Sequence, residues 1–238
     1  MGHSLRRLRE RGERFTLCRM VIFRFGVDDL ARLRLAISPL WEIVTSLRSV
    51  QEPAAAALHL PWLREARERL EGLDLRPALA LTPPRGYFPD FLIPPPQSPL
   101  ADVEEDLRRV RRTAPERIRV EIGYLEQRAW ARPYLQRFLD EPRRAVREMA
   151  DLLLEFWRRA HEPTWPRIQA LLQADVQHRA RGLAERGAAA VLGDLHSQVA
   201  WREDRLEIRM RHTDDVALEG RGLLLVPSAF TADWPSVV

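Results

Sequence analysis

Apolar residues recur along most of the chain at the spacing of an amphipathic α-helix. Residues 142–157 carry Val146, Met149 and Leu153 at this spacing, which predicts a long, deeply packed helix beginning near Pro142. A second long helix is predicted between a cap at Thr164 and Gly187. Its inner face should consist of Ile168, Leu171, Leu172, Val176, Ala180 and Leu183.

Capping residues and prolines predict shorter helices in the first half of the chain. Asp28 or Asp29 can cap a helix that runs to Leu35, and Ser38 followed by Pro39 begins the next one. The face of this second helix should carry Leu40, Trp41, Val44 and Leu47. Further helix starts are predicted at Pro61, Ser98 and the capping box of residues 113–116.

Toward both ends of the chain, apolar and polar residues alternate with a period of two. Alternation predicts strands at residues 21–25, 199–202, 206–210 and 222–226, whereas Asp214 and Asp215 are interpreted as turn charges. A single strand is not stable alone, so residues 21–25 should join the C-terminal strands. The predicted fold class is α+β, mainly α: a helical bundle with a small antiparallel sheet formed by the C-terminal strands and the strand at 21–25.

The positive charge is confined to one end of the sequence. The chain has no lysine, so arginine supplies all 38 basic residues. Residues 1–19 contain six arginines and two acidic residues, a difference that equals the whole formal net charge of +4. We interpret residues 1–19 as a disordered basic extension, with translation starting at Met1 or Met20, and residues 20–238 as a single effector and dimerisation domain.

Several classes of protein lose support from what the sequence lacks. Cys18 is the only cysteine, and the sequence contains neither a membrane-spanning apolar run nor a secretory signal, so a cytoplasmic location is predicted. The zincin-like start at His161 fails because Trp165 replaces the second histidine. Gly220 and Gly222 precede a strand, unlike a dinucleotide-binding loop. We therefore predict no cofactor, no metal, no catalytic residues and no enzymatic activity.

Two features leave alternatives open. Asp175 and His178 share a helix face, where they form either a metal or proton-relay pair or a solvated couple. The proline-rich loop of residues 82–96 either plugs the helical core or forms a wall for an apolar anionic ligand. In the second interpretation the loop residues that bind the ligand are Arg85, Tyr87, Phe88 and Phe91.

The ordered set of short segments resembles the effector region of ArsR-like winged helix-turn-helix transcriptional regulators of actinobacterial type. No single motif is chemically diagnostic, and the resemblance covers residue 20 to the C-terminus. It is carried by Phe25 and residues 29–32, 39–42, 84–91, 165–168, 175, 179–180 and 220–228.

The resemblance implies a sensor and dimerisation region. Regulators of this type bind DNA as dimers through a C-terminal winged helix-turn-helix, which we expect to be absent because the sequence stops at Val238. Expected partners are a second copy or a paralogous regulator, a small apolar ligand, and DNA only through a domain outside this chain; no membrane partner is expected. The alternative is a structural or interaction module that modulates full-length paralogues. The expected ligand residues are Trp41, Arg85, Tyr87, Phe88, Phe91 and Trp165.

Overall fold

Helices make up most of the chain, and one small sheet joins its N-terminal strand to its C-terminal strands. The computed structural model describes residues 19–52, 59–125, 128–210 and 213–231, so the predicted extension lies outside the described residues except for Arg19. The predicted fold class, α+β and mainly α, is confirmed.

The helices follow proline and capping signals closely. Ser38 caps the second helix by accepting a hydrogen bond from the N–H of Trp41, and six further α-helices of the described residues have proline in their first turn. The helices are α1 (Val27–Ala31), α2 (Pro39–Gln51), α3 (Leu60–Arg69), α4 (Arg76–Leu81), α5 (Val103–Arg111), α6 (Pro115–Gly123), α7 (Arg132–Asp140), α8 (Pro142–Phe156) and α9 (Trp165–Gly193).

Helix α8 packs along the main helical core, as its apolar periodicity predicted. Val146, Leu153 and Phe156 are almost completely buried, and the helix contacts α4, α5, α6 and α7. Beyond its last residue the chain continues as a π-helical turn, Trp157–His161, and a short 3-10 turn, Glu162–Thr164.

The sheet is mixed, which corrects the predicted antiparallel arrangement. Its strands are β1 (Arg19–Arg24), β3 (Val199–Arg202), β4 (Arg205–Met210) and β5 (Asp214–Ala217), in the order β3-β4-β1-β5. Strand β1 runs antiparallel to β4, with Val21 opposite Ile208, and parallel to β5. Asp214 and Asp215 therefore lie in a strand instead of a turn, where Asp215 forms a two-point ion pair with Arg24.

The last predicted strand does not join this sheet. Leu224 and Leu225 form β6 (Leu224–Leu225), which pairs in parallel with β2 (Arg34–Leu35). The backbone turns away from β5 at Glu219, Gly220 and Gly222, which all have positive φ angles. These backbone conformations direct β6 toward β2, and the pairing ends α1 at Ala31 instead of Leu35.

One other helix prediction needs correction. Helix α5 begins at Val103, not at Ser98, because Pro99 and Ala101 form backbone hydrogen bonds with Ile37. The predicted helix end at Gly187 is confirmed, because Gly187 has a non-helical backbone with a φ of +79° and a ψ of 170°. A kink at this residue separates the long first part of α9 from the short part that ends at Gly193.

The predicted inner face of α9 is only partly buried. Leu172 is buried, but Leu171 is 61% exposed and Ala180 is also exposed. The last turn of α9, with Val191 and Leu192, is buried, and α9 contacts β3 of the sheet. The apolar periodicity predicted the helix, whereas contacts with neighbouring elements determine how much of its apolar face is buried.

In the described ranges of the chain, none of the helices combines the length and the apolar character needed to cross a membrane.

Candidate functional site

Helix α2 carries a stripe of polar side chains that is buried. Glu42, Thr45 and Ser46 are at most 2% exposed, and Ser49 is buried one turn further on. Their spacing of i, i+3, i+4 and i+7 places them on one side of the helix. Buried polar groups need hydrogen-bond partners, so neighbouring elements must supply polar groups that face this stripe.

The chain after β6 lies across the beginning of this stripe. We call residues 226–231 the C-terminal cover. The backbone N–H of Ala229 donates a hydrogen bond to Glu42 Oε2 at 2.9 Å, and the hydroxyl of Ser228 lies 3.4 Å from Thr45 Oγ1. The polar stripe therefore holds the C-terminal end of the described chain.

His161 contacts the same stripe from the π-helical turn after α8. Its Nε2 lies 2.8 Å from Ser46 Oγ, which also donates to the carbonyl of Ile43 at 2.8 Å. A hydroxyl has only one hydrogen, so both bonds form together when His161 Nε2–H is the donor to Ser46. In this tautomer Nδ1 carries no hydrogen, so it can only accept a hydrogen bond.

Aromatic rings surround the His161 side chain. Trp62, Phe156 and Phe230 have ring centroids 5.0, 5.6 and 5.5 Å from the imidazole, and Trp157 stacks parallel to it at 5.8 Å. Single π-helical turns within helices occur frequently at functional sites, and this one places Trp157 and His161 on the same side.

Burial moves the two titratable groups of the site in opposite directions. Burial raises the pKa of Glu42 to about 7, although the Ser228 hydroxyl and the Ala229 N–H stabilise the carboxylate. Burial lowers the pKa of His161 to about 3, so the imidazole is neutral at physiological pH. At neutral pH the site combines a partly ionised carboxyl with a neutral imidazole.

Several buried polar atoms in this region have no hydrogen-bond partner within the part of the chain that the structure describes. They are Glu42 Oε1, Trp62 Nε1, His161 Nδ1 and Thr231 Oγ1. Each such atom costs about 1–3 kcal/mol of desolvation, and their concentration in one region is a property expected of a binding site. We refer to Glu42, Ser46, Trp62, His161 and Phe230 together as the His161 cluster.

The contact between Ser46 and His161 is a weak basis for nucleophilic catalysis. The imidazole has no carboxylate on Nδ1 among the described residues, and a base with a pKa of about 3 removes a proton from serine poorly. Ser46 is also completely buried in the helix. The geometry is better suited to recognising a hydrogen-bonding group than to activating a hydroxyl.

The proline-rich loop is packed against the core by two of its aromatic rings. Phe88 and Phe91 are buried, and Phe91 N–H donates to Glu121 Oε2 at 2.8 Å. Tyr87 is partly buried and packs edge-on against Tyr124. The alternative in which this loop plugs the helical core accounts for both phenylalanines.

Arg85, the one charged residue of the predicted ligand-binding wall, lies at the surface. Arg85 is 67% exposed and pairs with Glu52 at 3.6 Å. A different arginine holds the loop: Arg48 donates to the carbonyl of Pro83 at 2.8 Å and lies 4.9 Å over the ring of Phe88. The ligand-binding role of the loop stays a prediction.

The structure divides the remaining predicted ligand residues between two places. Trp41 packs edge-on against Phe88 with centroids 6.2 Å apart. Trp165 packs against Trp157 at 5.0 Å and therefore borders the His161 cluster. The carbonyl of Trp41 accepts a hydrogen bond from Thr45 of the polar stripe at 2.8 Å, so both tryptophans border the site.

Asp175 forms an ion pair with Arg179 at 2.8 Å one turn further along α9. In the described segments, no group of three or more histidine, cysteine, aspartate or glutamate side chains is placed to hold a metal ion.

Sequence reasoning missed the His161 cluster because α2 was assigned a single buried face. The available signal was the spacing of Glu42, Thr45, Ser46 and Ser49, which by itself is typical of a solvent-facing stripe. The contributions of Trp62 and Phe230 depend on contacts between residues far apart in the chain.

Comparison with known proteins gives one match. Residues 123–238, just under half of the chain, match the model of a family of unknown function, DUF5937. No curated protein and no solved structure matches the chain. The matched part includes His161 and Phe230, whereas Glu42, Ser46 and Trp62 precede it. Over residues 123–238 this chain is thus similar to a family whose function is unknown.

Proposed function

We propose that this chain is the small-molecule-binding effector region of a transcriptional regulator, and that the His161 cluster binds the effector. The observation that carries the proposal is the concentration of unpartnered buried polar atoms within a ring of aromatic side chains. A ligand that satisfied two of these atoms would recover part of their desolvation cost. Pockets with mainly aromatic walls and a few polar groups are the usual form of small-molecule sites.

The position of the C-terminal cover supports a regulatory role for such a site. In the regulators that the sequence resembles, the DNA-binding domain follows at this end. A ligand that changed the contact between Glu42 and Ala229 would act directly on the segment that, in those regulators, precedes the DNA-binding domain. In the proposed regulator the cover would thus connect ligand binding to a DNA-binding domain supplied from outside this chain.

Thermal-shift measurements with a panel of ring-containing and aliphatic compounds test the binding proposal. A ligand at about 100 times its Kd stabilises the folded state by about 2.7 kcal/mol, which raises Tm by about 5 to 10 °C in a chain of this size. We expect at least one compound class to stabilise the wild type, and His161→Phe to reduce the shift to about half, because the loss of one hydrogen bond weakens binding about tenfold. The control Tyr124→Phe changes an exposed ring and should keep it.

The binding proposal is wrong if none of the compounds raises Tm in the wild type, or if the full shift persists in His161→Phe. The regulatory part needs a separate measurement in cells. Transcription of the genes adjacent to this one should respond to the compound in cells with the wild-type chain and not in cells with His161→Phe.

A second candidate, an interaction module, is favoured by the exposed side of α9. Leu171 is the most exposed of its large apolar residues, and Ile168 and Val176 are only partly buried. A second copy of the chain packing on this side would cover all three. We expect a concentration-dependent dimer in sedimentation equilibrium, and Leu171→Arg should weaken it at least about tenfold, since burying a leucine is worth roughly 1.5–3 kcal/mol.

The matched control for the α9 experiment is Gln177→Arg, which adds the same charge to an exposed position on the opposite side of the helix. The interaction-module proposal is contradicted if the wild type and Leu171→Arg dimerise equally. It is also contradicted if the wild type stays monomeric at high concentration.

A further inference from the structure

The ring of Phe230 occupies the outer edge of the His161 cluster. Its centroid lies 4.7 Å from the Trp62 ring, 4.8 Å from the His59 ring and 5.5 Å from the His161 ring, and the residue is 9% exposed. Phe230 belongs to the C-terminal cover, which is neither helix nor strand after β6. A phenyl ring from an irregular segment thus packs between the rings of Trp62, His59 and His161.

Few polar contacts hold this ring in place. The segment beside it is attached to Glu42 by the N–H of Ala229 and the hydroxyl of Ser228. The N–H of Phe230 donates to Ser228 Oγ at 3.1 Å, and the contact between Ser228 and Thr45 is long at 3.4 Å. Phe230 also lies outside the groups of residues that form the two main hydrophobic cores. Displacing its ring costs these contacts and the ring contacts with Trp62, His59 and His161.

The polar atoms beside the ring define what a replacement must offer. Trp62 Nε1–H can only donate a hydrogen bond, and in the tautomer fixed by Ser46 the Nδ1 atom of His161 can only accept one. The centroids of the two rings are 5.0 Å apart, which is close enough for one small ligand to contact both rings. A hydroxyl both donates and accepts, which satisfies the two atoms at once.

We propose that the His161 cluster binds a single-ring phenol, whose ring takes the place of the Phe230 ring and whose hydroxyl bridges Trp62 Nε1 and His161 Nδ1. This inference rests on the proposed function and names the chemical class of its ligand. The Phe230 side chain is then an internal competitor that leaves the cluster when the phenol binds.

Other ligand classes fit the described site less well. An aromatic hydrocarbon would leave the Trp62 and His161 atoms without partners, so their desolvation would not be compensated. A benzoate would bring a second carboxyl group into a cluster that already holds the carboxyl group of Glu42. The neutral imidazole of His161 gives an anion no compensating positive charge.

Calorimetric titration with phenol, toluene and benzoate tests the proposal in three proteins. The wild type should bind phenol more tightly than toluene or benzoate. Phe230→Ala should raise the phenol affinity at least about tenfold, because the competing ring is gone and the open state no longer has to be populated first. His161→Phe should reduce the preference for phenol over toluene about tenfold, which is the value of about one hydrogen bond.

If Phe230→Ala folds poorly, Phe230→Leu is a second variant with a smaller change. Its phenol affinity should lie between that of the wild type and that expected for Phe230→Ala. The proposal is overturned if removing the ring leaves the phenol affinity unchanged, or if phenol and toluene bind equally well to Phe230→Ala. The second result would mean that water satisfies Trp62 and His161 equally well. If Phe230→Ala instead improves binding of another compound class, the phenol assignment fails and the proposed function survives. If no compound binds any of the proteins, both fail.

Discussion

Replacing Glu42 by glutamine will make the stability of this protein rise with pH between about 4.5 and 6.5, and replacing His161 by phenylalanine will make it fall over the same range. Burial raises the pKa of Glu42 from 4.5 to about 7, so the folded state binds a proton that the unfolded state releases. This contribution to stability is fully present below pH 4.5 and is lost as pH rises toward 7.

His161 has the opposite sign. Burial lowers its pKa from 6.5 to about 3, so the unfolded state takes up a proton that the folded state does not. Its contribution is complete above pH 6.5 and is lost as pH falls toward 3. Each group alone changes the free energy of unfolding by about 1.4 kcal/mol per pH unit between the two limits. In the wild type the two contributions nearly cancel from pH 4.5 to 6.5.

Urea unfolding at several pH values across this interval measures the effect. Relative to the wild type, Glu42→Gln should gain about 2–3 kcal/mol with increasing pH and His161→Phe should lose about as much. Other carboxylates titrate in the same range, but their effect is common to all three proteins and disappears in the differences. The control Glu68→Gln, at an exposed position, should run parallel to the wild type. Parallel curves for all variants would mean that neither side chain is buried in solution.

Replacing Gly222 by alanine should destabilise the protein by about 3 kcal/mol. Gly222 has a φ of +74°, a conformation that costs other residues about 1–2 kcal/mol. A Cβ atom here would lie 2.5 Å from the carbonyl oxygen of Arg32, so the backbone must also shift, which adds about 1–3 kcal/mol. The N–H of Gly222 donates to Asp29 Oδ1 at 2.9 Å, and a shift would weaken that bond too.

Gly86→Ala provides the matched control for Gly222→Ala. Gly86 has a similar φ of +85°, but a Cβ there would meet open space, so only the backbone term of about 1–2 kcal/mol applies. Both variants can be compared by urea unfolding. Equal losses in the two variants would contradict the close approach of Gly222 to Arg32.

The contact at Gly222 also affects the candidate site, because it fixes the path of β6 and the C-terminal cover. Burial by itself raises the pKa of Asp29, but the N–H groups of Gly222 and Gly26 donate to its carboxylate and the net pKa is lowered. Asp29 therefore joins the start of α1 to the turn before β6. A destabilised turn should loosen the cover and expose the His161 cluster.

Helices and strands whose signals lie within one segment of the chain could be predicted from the sequence. The period of 3.6 in α8, the cap at Ser38 and the alternation of residues 21–25 each act through neighbours in the chain, and the structure has all three. The joining of residues 21–25 to the C-terminal strands also followed from the rule that a single strand needs partners.

Which helix surfaces are buried, and which polar atoms contact each other, depends on tertiary contacts. The burial of Glu42 and Ser46 requires the C-terminal cover and His161, which lie more than 100 residues away in the chain. The exposure of Leu171 likewise depends on what packs beside α9. Hydrophobic periodicity is a property of a segment, whereas burial and hydrogen-bond partners are properties of contacts between segments, and the candidate site consists of such contacts.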